Sequence, residues 1–177
     1  MVEPEKTRRV FFGLWPDDSV RAAIVKQFAQ MPQYHAQATR MTPNNLHLTL
    51  HFIGHVDSVM LDCLQLAAQK VTADAFNLQL DCTGYFLPPK VFWLGCTQTP
   101  HGLQLLHQQL SEVLHPCGYV AESRAFSPHV SLLRKLQEPG EQVAVEAIDW
   151  PVQSFALIES LPSSSGVLYR PLQNYFL

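Results

Sequence analysis

The 177-residue chain lacks the features that mark several common classes of protein. Its apolar runs are far shorter than the roughly 20 residues that a membrane-spanning helix needs, and its first residues lack the apolar core of a signal peptide. It has no glycine-rich phosphate loop, no Walker pattern and no Ser-His-Asp series. The sequence therefore predicts a cytoplasmic protein without a membrane span. The absence of these motifs argues against the nucleotide-binding and hydrolase classes that they mark.

The chain also has few cysteines and no Cys-x-x-Cys pair. Its four cysteines, Cys63, Cys82, Cys96 and Cys117, are scattered through apolar stretches. Disulfide frameworks and zinc sites usually show regular or close spacing. We therefore interpret all four as buried, reduced thiols.

Basic residues are not in excess, since the formal net charge is -3 at pH 7. A protein that coats nucleic acid nonspecifically needs many phosphate contacts from a basic face, so the composition argues against that mode. Recognition of one phosphate or of a nucleic-acid end stays open, because one or two cations suffice for it. With 47% hydrophobic residues, the chain is long enough to bury a proper core.

What the sequence does contain is one short pattern in two copies, His47-Leu48-Thr49-Leu50 and His129-Val130-Ser131-Leu132. Along an extended strand successive side chains alternate faces, so each imidazole shares a face with the hydroxyl two residues later. The aliphatic residues, together with Phe52 after the first copy, are then predicted to form the buried side of each strand. Each copy thus offers one imidazole beside one hydroxyl.

The order strand, helix, histidine strand occurs once in each half of the chain. We infer a single bilobal domain over residues 1–177, with one motif strand from each half and the two lobes facing each other across a groove. The predicted strands are 9–15, 45–53, 76–86, 91–95, 129–132, 152–161 and 167–177, and the predicted helices begin near 17, 58 and 100.

Two histidines that flank one substrate form an acid-base pair, because the ordinary pKa of imidazole lies near 6.5. Cleavage of a phosphoester suits such a pair without a metal or a covalent nucleophile. One imidazole takes the proton of the attacking water, and the other protonates the departing alkoxide. The hydroxyls of Thr49 and Ser131 would hold the phosphoryl oxygens.

These motifs resemble the two His-x-Thr/Ser-x signatures of the 2H phosphoesterase superfamily. Within it, the chain is most similar to the bacterial RNA 2',3'-cyclic phosphodiesterases, also called 2'-5' RNA ligases. The similarity extends over nearly the whole chain and includes Phe11-Phe12-Gly13-Leu14, Asn45-Leu46, Phe92-Trp93-Leu94-Gly95, Phe126-Ser127-Pro128, Leu133-Arg134 and Gly166-Val167-Leu168-Tyr169.

The resemblance implies an α+β, bilobal, pseudo-twofold-symmetric fold, with two antiparallel sheets lining a central groove and helices packed outside. It implies hydrolysis of RNA ends or nucleotides that carry a 2',3'-cyclic phosphate to 2'-phosphomonoesters, a reverse reaction that joins 2'-5' ends, and a role in tRNA processing. No metal or other cofactor is implied. We expect a monomer without an obligate protein partner.

The resemblance also implies a role for each site residue. By position, His47 is the proton donor to the leaving 3'-oxygen and His129 is the proton acceptor that activates water. The phosphate-binding residues are Thr49, Ser131 and Arg134, and Phe12 is a candidate for stacking on a base.

Two of these assignments have open alternatives. Strict alternation puts Arg134 on the face opposite His129, so either the strand ends or bulges there or this arginine lies outside the groove. Phe12 fits the core as well as a stacking platform. His51 shares the predicted face of His47, as a neighbour or as a substrate contact.

Three rival functions remain at this point. The run His47, His51 and His55 could hold zinc if it were helical, although the alternating aliphatic residues favour a strand. The groove could bind nucleotides or RNA ends without turnover. Finally, the substrate could be another cyclic phosphate, such as that of ADP-ribose, or a 2'-5' oligonucleotide.

Overall fold

The computed structural model describes residues 7–31, 38–138, 144–164 and 166–177. Within these ranges the chain is an α+β protein, as predicted. Its strands are β1 (Arg8–Leu14), β2 (Thr39–Arg40), β3 (Leu48–Val56), β4 (Phe76–Leu80), β5 (Cys82–Phe86), β6 (Val91–Gly95), β7 (His129–Arg134), β8 (Ile148–Val152), β9 (Ser154–Ser163) and β10 (Gly166–Phe176). Its helices are α1 (Asp18–Ala29), α2 (Ser58–Ala68) and α3 (His101–Leu114), with short 3-10 helices at Pro43–Asn45 and His115–Cys117. In these ranges no helix has the length and apolar character needed to cross a membrane.

The strands form two antiparallel sheets, which confirms the predicted fold class. The large sheet has the order β10-β9-β1-β3-β7-β6-β5, with β2 beside β7, and the small sheet pairs β4 with β8. In each half of the chain one helix connects two antiparallel neighbours: α1 lies between β1 and β3, and α3 lies between β6 and β7. The two motif strands, β3 and β7, therefore meet at the centre of the large sheet.

Two of the three α-helices in the described ranges begin at polar caps, and each of the three buries one apolar face. Asp17 accepts a hydrogen bond from the Val20 N–H at 2.9 Å, and Asp57 accepts one from the Met60 N–H at 2.7 Å, so α1 and α2 each have a capped first turn. One core cluster joins the helix stripes to the aliphatic side of the motif strands, and it includes Val20, Ile24, Leu48, Leu50, Leu64, Leu103, Leu106, Leu110, Val130 and Leu132. Because this side of β3 and β7 is packed, the histidines emerge on the other side.

The predicted strand over 76–86 is two strands that belong to different sheets. The break lies at Asp81, whose carboxylate accepts hydrogen bonds from the N–H and the hydroxyl of Thr97 at 2.7 and 2.6 Å. The chain before Asp81 pairs with β8, a strand whose start at Ile148 lies outside the predicted span, and the chain after it pairs with β6. The hydrogen bonds of Asp81 to Thr97 thus lie where the chain passes from one sheet to the other, although the sequence there reads as one strand.

One disulfide corrects our interpretation of the cysteines. Cys63 on α2 is bonded to Cys117 in the 3-10 helix that follows α3, with their Cα atoms 5.8 Å apart. The packing of α2 against α3 brings together two residues that lie 54 positions apart. Cys82 and Cys96 are free thiols.

Candidate active site

The two motif histidines lie side by side at the centre of the large sheet. Leu48, the residue after His47, pairs with Val130, the residue after His129. Since partners run in opposite directions in an antiparallel ladder, Thr49 lies across from His129, and His47 lies across from Ser131. Each imidazole thus has one hydroxyl two residues along its own strand and a second hydroxyl on the neighbouring strand.

These side chains line a groove with a cavity volume of about 480 Å³. This volume lies within the usual range of small-molecule sites. The lining includes His47, Thr49, Phe52, Phe86, Glu122, Arg124, Phe126, His129, Ser131, Arg134 and Lys135. A second hollow, of about 380 Å³, lies between α1 and the start of β8, and its lining contains no histidine or cysteine. Both motif histidines therefore lie in the groove and not in the second hollow.

Both imidazoles are fixed in the same tautomer. The Nδ1 atom of His47 lies 2.6 Å from the Asn45 carbonyl oxygen, and Nδ1 of His129 lies 2.8 Å from the Ser127 carbonyl oxygen. A carbonyl oxygen only accepts hydrogen bonds, so each Nδ1 carries a proton and donates it. In the neutral imidazole Nε2 then has the free lone pair, and it is the atom left to act on a substrate.

His47 is enclosed by aromatic side chains. Its ring centroid lies 4.8 Å from Phe11, 4.8 Å from Tyr169 and 6.2 Å from Trp15, and only 6% of the residue is exposed. This burial lowers the pKa of His47 to about 4, and the positive charges of Arg134 and His129 act in the same direction. The bond to the backbone carbonyl partly opposes them. In the free protein at neutral pH, His47 is therefore neutral.

His129 has a more open aromatic environment. Its ring meets Phe86 edge-on at 4.9 Å and lies 6.1 Å from Trp93. The indole of Trp93 rests on Gly84 and Gly95, where an added Cβ would fall 2.1 and 2.8 Å from its ring atoms, so both positions require glycine. Burial also lowers the pKa of His129, and the charges of nearby arginines contribute.

Each motif strand has a β-bulge at the third residue after its histidine. On β3, Phe12 pairs with His51 and Gly13 pairs with Thr49, so Leu50 is the extra residue. On β7, the pairing with β6 skips Leu132 in the same way. A bulge adds one residue to one strand and shifts the alternation of side chains beyond it. The two halves of the site thus share an irregularity as well as a motif.

The bulges decide which side chains reach the groove. Phe52 and Arg134 each lie five positions after a motif histidine, and both line the cavity. The bulge alternative for Arg134 is the one observed, and its charge acts on both imidazoles. The prediction that Phe52 is buried is wrong, because 53% of it is exposed.

His51 borders the groove, but its ring packs against His107 of α3 and against Tyr119, contrary to the alternation that put it beside His47. It is 3% exposed, its Nδ1 lies 2.9 Å from the Tyr119 hydroxyl, and its Nε2 lies 2.9 Å from the His107 carbonyl oxygen. With both ring nitrogens engaged, His51 has none left for a metal. The described part of the chain holds no cluster of three or more residues that could bind one, so the zinc alternative loses its support.

Phe12 is the one candidate that the structure removes from the site. It is 0% exposed and packs against Phe155 and Tyr175 in the core. The predicted base-stacking role is therefore wrong. Its neighbour Phe11 points to the opposite face of β1, where it contacts His47 and Phe52.

Several site residues had no predicted role. Phe52 could have been found by comparing the two motifs, because it has the same offset from His47 as Arg134 has from His129. Trp15 and Tyr169 have no such offset from a motif histidine. Trp15 follows β1 and Tyr169 lies on β10, and both reach His47 only through the order β10-β9-β1-β3 of the large sheet.

Comparisons with known proteins agree with this geometry. The RNA 2',3'-cyclic phosphodiesterase of Escherichia coli is 31% identical, over 100% of this chain and 99% of that protein. The enzyme of the same name from Thermus thermophilus is 28% identical, over 96% of this chain and 90% of that protein. Among solved structures, a phosphoesterase superposes with a TM-score of 0.90 at 30% identity, covering 97% of this chain and 99% of that one. Escherichia coli LigT in complex with 3'-AMP superposes with a TM-score of 0.88 at 29% identity and the same coverage.

The family model described as the 2'-5' RNA ligase superfamily matches residues 16–161, a span that contains both motif strands and most of the groove. This match confirms the resemblance noted in the sequence. The chain belongs to the 2'-5' RNA ligase superfamily.

Proposed function

We propose that this protein hydrolyses the 2',3'-cyclic phosphate at RNA ends to a 2'-phosphomonoester by acid-base catalysis with two histidines. One observation carries the proposal. His47 and His129, from opposite halves of the chain, lie in one groove, each with Nδ1 bonded to the carbonyl two residues before it. The relative from Escherichia coli is named an RNA 2',3'-cyclic phosphodiesterase, and Escherichia coli LigT has been crystallised with phosphate and with 3'-AMP.

The proposed reaction uses both Nε2 atoms. His129 accepts a proton from the attacking water as its oxygen bonds to phosphorus. The bond from phosphorus to the 3'-oxygen breaks, and protonated His47 donates its Nε2 proton to that oxygen. Each such proton transfer contributes on the order of 10²- to 10⁴-fold to the rate. Exchange with solvent returns one proton from His129 and restores one to His47.

Charge on the phosphoryl oxygens is held by the remaining groove residues. Thr49 and Ser131 donate hydroxyl protons from the neighbouring strands, and Arg134 supplies the positive charge. Among the described residues no ion pair occupies Arg134, whereas Arg124 is bound to Glu122 at 3.1 Å. Hydrogen bonds from charged donors to phosphoryl oxygens are among the stronger ones in proteins.

We propose Phe52 as the surface on which the terminal base stacks, in place of Phe12. It is a large, exposed aromatic side chain in the lining of the groove. Base–aromatic stacking tolerates any base, since every base has a π-face. Phe52 would therefore favour nucleotides over small phosphodiesters without selecting a sequence.

The same groups would support the reverse reaction. If a 5'-hydroxyl replaces water, its proton passes to His129 and its oxygen bonds to phosphorus. The bond from phosphorus to the 3'-oxygen breaks, His47 protonates that oxygen, and the product is a 2'-5' linkage. Whether the cell uses hydrolysis or ligation, and whether tRNA is the substrate, depends on which ends are present.

The cytoplasmic location and the monomeric state stay predictions. The disulfide between Cys63 and Cys117 counts against a strongly reducing compartment, because such bonds are rare in the cytosol.

The test is a substrate panel with analysis of product ends. We expect an RNA oligomer with a 2',3'-cyclic phosphate to yield only a 2'-phosphate end, at a rate unaffected by chelator. A 3'-phosphate product or loss of turnover with chelator would refute the proposed chemistry. Faster turnover of a cyclic phosphate of ADP-ribose or of a 2'-5' oligonucleotide would move the assignment to that substrate, and binding without turnover would make this a binding module.

A further inference from the structure

Asn45 is a buried polar residue at the entrance to β3. It ends the 3-10 helix Pro43–Asn45, two residues before His47, and only 7% of it is exposed. Its backbone carbonyl is the group that accepts the Nδ1 proton of His47, at 2.6 Å. The position of this carbonyl therefore sets the tautomer and the tilt of the imidazole.

The side chain of Asn45 is bound to the distant strand β10. Its Nδ2 donates to the Val167 carbonyl at 2.6 Å, and its Oδ1 accepts from the Tyr169 N–H at 3.1 Å. β10 is an edge strand of the large sheet, so these backbone groups have no neighbouring strand on that side. The side-chain amide of Asn45 thus donates to Val167 and accepts from Tyr169. A residue of an additional neighbouring strand would use its backbone N–H and C=O in the same way.

The same contact fixes one wall of the His47 pocket. Tyr169, whose N–H binds Asn45, places its ring edge-on to His47 at 4.8 Å. The β10 segment that holds Asn45 thus also supplies an aromatic contact to the imidazole. Displacement of this segment would move the carbonyl and the Tyr169 ring together.

We propose that Asn45 is a positioning residue for the reaction: by binding the edge of β10, its side-chain amide fixes the backbone carbonyl that holds His47 in the Nδ1–H tautomer. This inference rests on the proposed function for its kinetic consequence, but its structural consequence can be measured without turnover. Small displacements of a catalytic group cost as much as about 10²-fold in rate.

The segment that holds His129 is supported in a different way from the segment that holds His47. Ser127, whose carbonyl holds His129, has an exposed side chain, and the segment before it is supported by Phe126 stacked on His107 at 3.9 Å. Loss of the Asn45 amide should therefore disturb His47 and leave His129 in place. This difference provides an internal reference within one molecule.

The experiment compares Asn45→Ala with Asn44→Ala in the full-length protein. Asn44 is the adjacent asparagine and is exposed, so it is the matched control. Nitrogen-15 NMR of the imidazoles reports the tautomer, with the His47 signals assigned by their loss in His47→Gln. Turnover of uridine 2',3'-cyclic phosphate gives kcat and KM.

We expect Asn45→Ala to lower kcat about 10- to 100-fold with KM changed less than about threefold. The Nδ1–H signal of His47 should weaken or shift while that of His129 is unchanged, and Asn44→Ala should match the natural protein. Asn45→Asp keeps an acceptor for the Tyr169 N–H but turns a carboxylate oxygen towards the Val167 carbonyl, so it should lower kcat at least as much as Asn45→Ala. It serves as the second variant if the alanine variant fails to fold.

An unchanged kcat with an intact His47 signal would overturn the proposal, and so would an equal disturbance of both histidines. If the natural protein turns over none of the cyclic phosphates, the proposed function fails, but the tautomer measurement still decides the role of Asn45.

Discussion

The burial of His47 predicts that binding of a phosphate ligand is accompanied by uptake of a proton. The pKa of His47 is about 4 in the free protein, yet the proposed donor must be protonated when the substrate is bound. Protonation at pH 7 of a group with this pKa costs about 4 kcal/mol, since each pKa unit is about 1.4 kcal/mol. Something in the complex must offset this cost.

The phosphoryl charge is large enough to do so. One negative charge about 4 Å from the imidazolium contributes about 4 kcal/mol at an effective dielectric constant of about 20. Cost and gain are thus of equal size, and a dianionic phosphate adds further attraction. At pH 7 we expect uptake of roughly half a proton or more for each ligand bound.

Titration calorimetry measures this uptake directly. Adenosine 2'-phosphate is titrated at pH 7 in two buffers with different ionisation enthalpies, and the slope of the apparent enthalpy gives the number of protons. His47→Gln, which keeps a polar side chain of similar reach but does not titrate, should lose most of the uptake. His129→Gln should retain it.

Two results would refute the reasoning. If the natural protein binds the ligand without proton uptake, His47 is not charged in the complex and cannot be the donor as proposed. If His129→Gln loses the uptake and His47→Gln keeps it, the donor and acceptor roles are reversed.

Three further predictions follow from side chains in and near the groove. Phe52→Ala should lower kcat/KM for nucleotide substrates about 5- to 150-fold, the equivalent of about 1–3 kcal/mol of stacking, while Phe52→Trp retains it; an alanine variant with natural kcat/KM would remove Phe52 from the substrate site. Cys63→Ser should lower the free energy of unfolding by about 4 kcal/mol in denaturant titrations, since the bond to Cys117 closes a loop over 54 positions; equal stability of the natural protein with and without reductant would contradict it. Because the pKa of His47 is lower in the folded than in the unfolded chain, the unfolded chain binds more protons between about pH 6.5 and 4, so stability should fall by about 3 kcal/mol as the pH drops through this window. In His47→Gln the same pH titration of unfolding should show a smaller fall, and an identical curve would contradict the assignment.

The repeated motif predicted the centre of the site because it depends on local rules. Alternation along a strand places His47 with Thr49 and His129 with Ser131, and each of these residues lines the groove as expected. The sequence predicted that both motif strands line one groove, but it did not predict that β3 and β7 are neighbours in a single sheet.

The sequence raised a bulge only as one alternative for Arg134, and it gave no sign of the bulge on β3. Leu50 and Leu132 are ordinary strand residues, and one extra residue in a ladder leaves no mark on composition or periodicity. Yet this shift buries His51, exposes Phe52 and returns Arg134 to the groove. Each wrong or undecided face assignment in the motif strands traces to this single cause.

Long-range contacts set the second limit. The bond between Cys63 and Cys117 depends on the packing of α2 against α3, and the contact of Asn45 with β10 joins residues more than 120 positions apart. No pattern of residue spacing in the sequence predicts either contact. The sequence shows which residues are unusual, but only the fold shows which of them meet.

Turnover of uridine 2',3'-cyclic phosphate by the single variants His47→Ala and His129→Ala and by the double variant tests the central claim most directly. If the two imidazoles act as one acid-base pair, each single variant should lower kcat by about 10²- to 10⁴-fold, and the double variant should be scarcely worse than either, because residues that act as a unit are not additive. His55→Ala, at an exposed position on β3 outside the groove lining, should match the natural protein. Natural turnover in either single variant, or losses that multiply in the double variant, would contradict the account.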